Sequence, residues 1–214
     1  MRYVSIDIET TSLAEDAQIL EIGAIVEDSN IPYKFKDIPK FECIIDHGKI
    51  IGEAVALNIN ARIIEILSQY HQIKDPQEKA AFKSRHKIYR EIEASEALHK
   101  FVWEHYVNNG KEYVSPFKKR LKNEIPTPPI RVICAGKNFG TFDRPKLMRL
   151  NGMNACLRFN HRILDPAILF VNWEDDEKPP TLQECKQRAG IQGTVSHKAI
   201  EDAWDVVEIL RKKY

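Results

Sequence analysis

Apolar and polar residues alternate at the start of the chain, where Val4, Ile6 and Ile8 share one face of an extended segment. The residues between them share the opposite face, so this period of two predicts a first β-strand. Two further strands are predicted at 18–28 and 41–46. Because the connections between the three segments are short and polar, we expect them to form a meander.

A helical pattern replaces the alternation after Glu53. At the end of this helical region, Ala94, Leu98 and Phe101 recur at helical spacing, which predicts that this part packs on the sheet. The stretch Tyr70–Arg90 is more polar and is interpreted as an exposed insertion or a helical extension. This stretch is either a solvated helix face or a binding surface, and the sequence fits both interpretations.

Strands and helices alternate in the second half of the chain. A buried central strand is predicted at 130–136, followed by a short helix that stops at Gly152 and by a strand near 157–159. Thr181 and Glu184 have the spacing of a capping box, which predicts the start of another helix. The last helix is predicted from near Ser196, with a buried stripe formed by Ile200, Ala203, Trp204, Val207 and Leu210.

Three early strands followed by alternating strands and helices predict an α/β domain with a mixed sheet. The 214 residues, of which 43% are hydrophobic and 29% charged, suit one ordinary globular domain over 1–214. Insertions are expected near 70–90 and 109–129. The net charge of +1 gives no general attraction to nucleic acid, so such a partner would have to meet a local patch.

The segment 109–129 is the most basic part of the chain and reads as a loop, because glycine and proline recur in it. Its basic residues are interleaved with two aromatic ones: Lys111, Tyr113, Phe117, Lys118, Lys119, Arg120 and Lys122. A contact to a phosphate backbone and a merely solubilising loop fit this composition equally well.

Cysteine spacing and hydropathy indicate a cytoplasmic protein without a membrane partner. The four cysteines are scattered, with neither a zinc-binding pair nor a disulfide framework: Cys43, Cys134, Cys156 and Cys185. The N-terminal residues lack the apolar core of a signal peptide, and no apolar run approaches the length of a membrane-spanning helix.

Two carboxylates lie on the polar face of the first strand, near its end. Asp7 and Glu9 are two residues apart, so both side chains leave the same face, about 7 Å apart along the strand. Close carboxylates repel each other unless a proton or a cation lies between them, and ligand sets made only of oxygen favour Mg²⁺ or Mn²⁺. The alternative is the polar outer face of an edge strand.

Three further residues are candidates for the same chemistry. Asp143 follows the central strand and a glycine-containing loop, although an aspartate before a helix is also a preferred N-cap. His197 is predicted in the first turn of the last helix, where a histidine alone fits a surface or capping position. Asp202 lies at the margin of that helix's apolar stripe, where a buried acid needs a partner.

The segments DIETTSL (7–13), NFGTFDRPKL (138–147) and HKAIEDA (197–203) together resemble the three motifs of the DEDDh, or DnaQ-like, 3′→5′ exonucleases. This family includes proofreading exonucleases, RNase T and oligoribonuclease. The resemblance covers nearly the whole chain in order and spacing. It implies the RNase H-like fold, with a mixed five-stranded sheet flanked by helices.

The resemblance also implies roles for the five candidate residues. Asp7, Glu9, Asp143 and Asp202 would hold two divalent cations, Mg²⁺ or Mn²⁺, and His197 would be the general base. All five belong to the catalytic set that we expect.

Substrate contacts follow from the same motifs. Leu13 matches the family position that wedges against the terminal bases, and Thr10 lies where the backbone meets the 3′ end of the substrate. Asn138 precedes Asp143 by five residues, which is closer to the oligoribonuclease type. Ser12 stands where the family often has glycine, next to the expected wedge.

The expected function is that of a metal-dependent hydrolase that removes nucleoside monophosphates from the 3′ ends of single-stranded DNA or RNA. The choice between DNA and RNA and the formation of a homodimer are left open. One alternative is a catalytically inactive nucleic-acid-binding module with the same fold. Another is an α/β interaction protein whose acids are only surface residues.

Overall fold

The computed structural model describes residues 1–107, 110–117 and 125–214, which build a mixed six-stranded sheet with helices on both faces. The strand order across the sheet is β4-β3-β2-β1-β5-β6. The strands are β1 Arg2–Thr10, β2 Ile19–Asp28, β3 Lys40–Ile45, β4 Ile88–Tyr89, β5 Ile130–Ala135 and β6 Leu157–Leu164.

The helices fall between β3 and β5 and again after β5. They are α1 Ala54–Ile59, α2 Ala61–Gln72, α3 Pro76–Arg85, α4 Glu91–Val102, α5 Asp143–Arg149, α6 Met153–Cys156, α7 Ala167–Phe170, α8 Leu182–Arg188 and α9 Ala199–Arg211. A π-helical turn, Trp103–Val107, continues α4. The predicted capping box at the start of α8 is present, since Thr181 and Glu184 bond to each other's backbone.

The predicted meander is confirmed, because β1, β2 and β3 pair antiparallel in chain order. The mixed α/β sheet is confirmed as well, since β5 pairs parallel to β1 and β6 parallel to β5. The expected number of five strands is corrected to six by β4, which pairs parallel to β3 at the edge of the sheet. A strand of two residues is too short to show a period, which is why its pattern is absent from the sequence.

The two faces of β1 follow the predicted alternation. Val4, Ile6 and Ile8 join the larger apolar core, which includes Leu98 and Phe101 of α4. On the opposite face, β1 and β2 pack against the buried stripe of α9. The last helix therefore lies on the same face of the sheet as the two carboxylates of β1.

The first turn of α9 lies directly on the sheet at Gly23. This residue of β2 is paired with Asp7, and a Cβ added to it would overlap backbone atoms of Ala199 and Ile200. Only glycine lets the helix backbone approach a strand this closely. Farther along β1, the Ser5 hydroxyl donates to the carbonyl oxygen of Ala203 at 2.8 Å and fixes the helix on the strand.

The two predicted insertions differ in how far the structure describes them. In the first, α3 has no buried residue, whereas Ile88 of β4 is 1% exposed and pairs with β3, so the end of this stretch belongs to the sheet. In the second, Lys118, Lys119, Arg120 and Lys122 lie outside the described residues.

The aromatic residues of the second insertion contact the body of the fold. The ring of Tyr113 lies 5.5 Å from that of His99, and Phe117 packs against Gly152 and the larger apolar core. Both aromatics therefore attach this segment to the neighbouring helices. Its interpretation as a phosphate contact stays a prediction.

All four cysteines are free thiols buried in the fold. Across residues 1–107, 110–117 and 125–214, no helix combines the length and the apolar character needed to cross a membrane.

Replacing Gly23 with alanine tests the contact between β2 and α9. The added methyl group would push the helix backbone away from the strand, so we expect Gly23→Ala to lose about 1–3 kcal/mol of unfolding free energy, measured by urea denaturation. Gly140→Ala is the control, because its Cβ would meet only the flexible end of Ile163, at 2.8 Å. Equal stability of the two variants would contradict the close approach at Gly23.

Candidate metal centre

Residues from β1 and from the start of α9 meet at one point. One ligand atom each of Glu9, His197 and Asp202 lies within 4.8 Å of the others. The two acids are buried and the histidine is exposed. Groups this close together can bind one cation jointly, so the structure brings together three of the five predicted catalytic residues within the reach of a metal ion.

Asp7 and Asp143 extend this cluster electrostatically. Burial raises the pKa of Asp7 well above its usual value, and the charges of Asp143, Asp202 and Glu9 raise it further. Asp143 is only 3% exposed and is the first residue of α5. Four carboxylates from three separate segments therefore act on one another in a largely buried space.

Burial is also the main reason why the other three acids have raised pKa values. It raises the pKa of Glu9 to about 7, with additional repulsion from Asp202 and Glu21. It raises the pKa of Asp143 to about 7 as well, although backbone amides and Lys146 oppose the increase. A bound cation would favour the charged forms of these groups and offset both effects.

Asp202 is oriented by the turn that precedes its own helix. The backbone amide and the hydroxyl of Ser196 both approach its Oδ1 atom as donors, at 3.2 and 3.3 Å. Burial raises the pKa of Asp202, and the hydrogen bonds from Ser196 act in the opposite direction. These two donors hold the carboxylate in place beside the cluster.

The predicted start of the last helix near Ser196 is wrong by three residues. The helix begins at Ala199 with Lys198 as its N-cap, and His197 has φ +54° in the left-handed region. The bonds from Ser196 to Asp202 bend the chain before the helix, so the histidine lies in a turn rather than in the first helical turn. Its imidazole is therefore exposed beside the two buried acids.

The capping interpretation of Asp143 is also wrong. Phe142 occupies the N-cap position of α5, and no side-chain capping bond is formed there. The Asp143 side chain is instead buried, and its charge adds to the effect of burial in raising the pKa of Asp7.

The three predicted substrate residues lie in different environments. Leu13 is 80% exposed in the loop after β1. Thr10 is buried, and its hydroxyl donates to the carbonyl oxygen of Ser12 at 2.8 Å. Asn138 is exposed in the loop before α5, where its backbone N–H donates to Oδ2 of Asp165 at 2.9 Å. Their roles toward a substrate stay predictions.

Two polar residues at the cluster were missed by the sequence patterns. Asn60, at the junction of α1 and α2, donates from Nδ2 to the carbonyl oxygen of Thr10 at 3.3 Å and lowers the pKa of Glu9 through a hydrogen bond. Glu21 faces Glu9 across the β1–β2 pair and is only 5% exposed. Glu21 could have been singled out from the sequence, because it is an acid within the apolar run 19–26. No comparable pattern marks Asn60.

The sheet order, the helices on both faces and the acids beside the central strand define an RNase H-like α/β fold. No model of a protein family matches the chain, and no curated protein matches it. Solved structures do match it over nearly its full length.

Among these structures are complexes of exonuclease I from E. coli. The complex with a dT13 oligonucleotide has a TM-score of 0.56 and 13% identity over 98% of this chain and 40% of that chain. A zinc-bound complex with single-stranded DNA has a TM-score of 0.55 and 13% identity over 98% and 39%. The complex with dA16 has a TM-score of 0.54 and 12% identity over 99% and 40%. The chain thus spans about 40% of the length of exonuclease I, and the likeness shows a shared fold.

The raised pKa values predict an unusual dependence of stability on pH. Raised pKa values mean that the folded protein favours the protonated carboxyls of Glu9 and Asp143. Their contribution to the free energy of unfolding is therefore complete below the unfolded pKa values of about 4, and it is lost as the pH rises through about 7. In the presence of EDTA, unfolding free energy should therefore fall between about pH 5 and pH 8, by on the order of 3 kcal/mol.

The matched variant for this measurement is Asp143→Asn, which carries no charge at either pH. In urea denaturation its advantage in unfolding free energy over the wild type should be larger at about pH 8 than at about pH 5, because only the wild type has a carboxyl whose stabilising contribution falls over this range. An advantage that is no larger at the higher pH would contradict the raised pKa of Asp143.

Proposed function

We propose that the protein is a divalent-metal-dependent 3′→5′ exonuclease of the DEDDh type. It hydrolyses phosphodiester bonds at the 3′ ends of single strands and releases nucleoside monophosphates. The observation that carries this proposal is the convergence of acids from β1, α5 and α9, together with His197, on one side of an RNase H-like sheet. In this proposal, residues 1–214 form one catalytic domain of a cytoplasmic protein.

The donor set fits two Mg²⁺ or Mn²⁺ ions. Asp7, Glu9, Asp143 and Asp202 would hold them, since all four offer carboxylate oxygens, the ligands that these hard cations prefer. Burial raises the pKa of each acid, and repulsion within the set further raises those of Asp7, Glu9 and Asp143, which is the condition that a bound cation relieves. When bound, such cations activate water and stabilise charge on the phosphate and on the leaving oxygen.

His197 is the residue that we assign to proton transfer. Its imidazole is exposed, yet one ring nitrogen lies within 4.8 Å of oxygens of Glu9 and Asp202. Histidine readily accepts and releases a proton near neutral pH, so a ring nitrogen at this place would take the proton of the attacking water. Its position in a turn outside α9 leaves the ring accessible to substrate.

A cleft beside the end of β1 suits the terminal nucleotide. It has a volume of about 290 Å³ and is lined by residues of the loop after β1, including Ser12, and by the segment before α1, including Ile51. Ile51 is 65% exposed and Leu13, which directly follows Ser12, is 80% exposed. Exposed apolar side chains at such a cleft would pack against bases without selecting their sequence.

Single-stranded nucleic acid is the substrate class that we assign. The similar structures of E. coli exonuclease I contain dT13, dA16 or single-stranded DNA. This supports DNA as the first substrate to test. RNA of the same sequence is the necessary comparison, because a 2′-hydroxyl contact decides between the two.

The metal requirement is testable without substrate. We expect Mn²⁺ or Mg²⁺ to raise the melting temperature relative to EDTA, because the ions bind only the folded protein; a concentration of about 100 times Kd corresponds to about 2.7 kcal/mol. Asp7→Asn should lose most of this increase, measured by differential scanning fluorimetry. Asp37→Asn, at an exposed acid, should retain it. No increase in the wild type at millimolar metal would contradict the two-metal site.

Catalysis is testable with matched 3′-labelled single-stranded DNA and RNA in the presence of Mn²⁺. The wild type should release the labelled mononucleotide first, and His197→Ala should be slower by about 10²–10⁴-fold, the usual contribution of a general base. His161→Ala, at an exposed histidine of β6, should keep wild-type activity. Undiminished hydrolysis by His197→Ala would remove that residue from the mechanism. Binding of oligonucleotides without hydrolysis by the wild type would favour the inactive binding module instead.

A further inference from the structure

Glu21 is a buried carboxylate at the metal centre for which the proposed mechanism has no use. It lies on β2 directly opposite Glu9 and is 5% exposed. Its charge contributes to the raised pKa values of Asp7 and Glu9. A buried carboxylate is costly unless hydrogen bonds hold it, so its partners indicate what it does.

Both oxygens of Glu21 have donors from other elements. Arg62 of α2 donates from Nη2 to Oε1 at 2.6 Å, and the backbone amide of Ala199 donates to Oε2 at 3.1 Å. Ala199 is the first residue of α9, whose amide has no partner within the helix itself. One side chain therefore joins β2, α2 and the start of α9 beside the acids.

The position of Asp202 depends on this junction. Asp202 follows Ala199 by three residues and so lies about one helical turn further along α9. Close approach of the helix is possible because the neighbouring residue on β2 that faces it is Gly23. Glycine thus allows the contact, while Glu21 provides the hydrogen bond that fixes the helix start at one place on the strand.

We propose that Glu21 is a positioning residue of the metal centre. It sets the separation between Glu9 and Asp202 by fixing the start of α9 on β2, and its role in this proposal is to hold the helix through Arg62 and Ala199 rather than to bind a cation. This inference rests on the proposed function, since it concerns the same metal site. Groups that orient ligands in this way typically change metal affinity by about 10–100-fold when they are replaced.

The chain contains a matched control at the other end of the same helix. Glu27, also on β2 and 1% exposed, accepts two hydrogen bonds from Arg211, at 2.9 and 2.7 Å. Arg211 is the last residue of α9. A glutamate of β2 therefore holds each end of α9, and only Glu21 lies beside the acids.

The experiment compares Glu21→Gln with Glu27→Gln in the full-length chain. A glutamine has an NH₂ group in place of one of the two oxygens, so whichever of Arg62 and Ala199 faces that group loses its acceptor. Both variants should melt at lower temperature in EDTA. Only Glu21→Gln should bind Mn²⁺ more weakly, by about 10–100-fold in calorimetric titration. Excess Mn²⁺ should then restore its rate of hydrolysis, with an unchanged KM for the oligonucleotide.

A second variant separates position from charge. Glu21→Asp keeps the negative charge, but its side chain is one methylene shorter and cannot reach the same two donors. It should lose Mn²⁺ affinity as Glu21→Gln does, while circular dichroism shows that both are folded. Wild-type affinity in Glu21→Asp together with weak binding in Glu21→Gln would overturn positioning in favour of charge.

The remaining outcomes are equally decisive. Wild-type Mn²⁺ affinity in Glu21→Gln, or an equal loss in Glu27→Gln, would overturn the inference and reduce Glu21 to a residue that stabilises the fold. A wild-type protein that binds Mn²⁺ but hydrolyses no oligonucleotide would overturn the proposed activity, and the Mn²⁺ titrations would still decide the role of Glu21. Absence of Mn²⁺ binding by the wild type would overturn both.

Discussion

The close contact between the start of α9 and β2 is the constraint on which the candidate site depends. Gly23 leaves room for the backbone of Ala199, and Glu21 accepts a hydrogen bond from the same residue. Because Asp202 follows about one turn later, this contact brings an acid near the end of the chain beside Glu9 of the first strand. Ser5 and Glu27 bind the helix farther along and keep its axis on the sheet.

The clustering of acids opposes folding, and the acids lie on a different face of the sheet from the larger apolar core, whose burial favours folding. In β1 the two functions occupy opposite faces: Ile6 and Ile8 join the larger apolar core, and Asp7 and Glu9 face the acids of α5 and α9. Burial of an apolar face stabilises the strand, whereas burial of like charges raises pKa values and destabilises the charged state. Strain at a candidate site, supported by a rigid scaffold, is common where binding of a ligand relieves it.

Most of the architecture was predictable from local patterns. The period of two in β1, the short connections of the meander and the capping box at Thr181 each act over a few residues, and all three are present in the structure. The two-residue strand β4 was not predictable, because Ile88 and Tyr89 pair with β3 only through tertiary contact. The helix start at Ala199 was misplaced because a bond from Ser196 to Asp202 holds the preceding turn.

The same distinction applies to the candidate site. The residue types and their order were predictable from the chain alone: two acids on one strand face, an acid after the strand β5, and a histidine and an acid at the last helix. The exposed position of His197 in a turn, and the contacts of Asn60 and Glu21 beside the acids, depend instead on how the elements pack. The bond from Ala199 to Glu21 joins residues 178 positions apart. Periodicity reports which face a residue occupies, whereas such a contact depends on how distant elements pack.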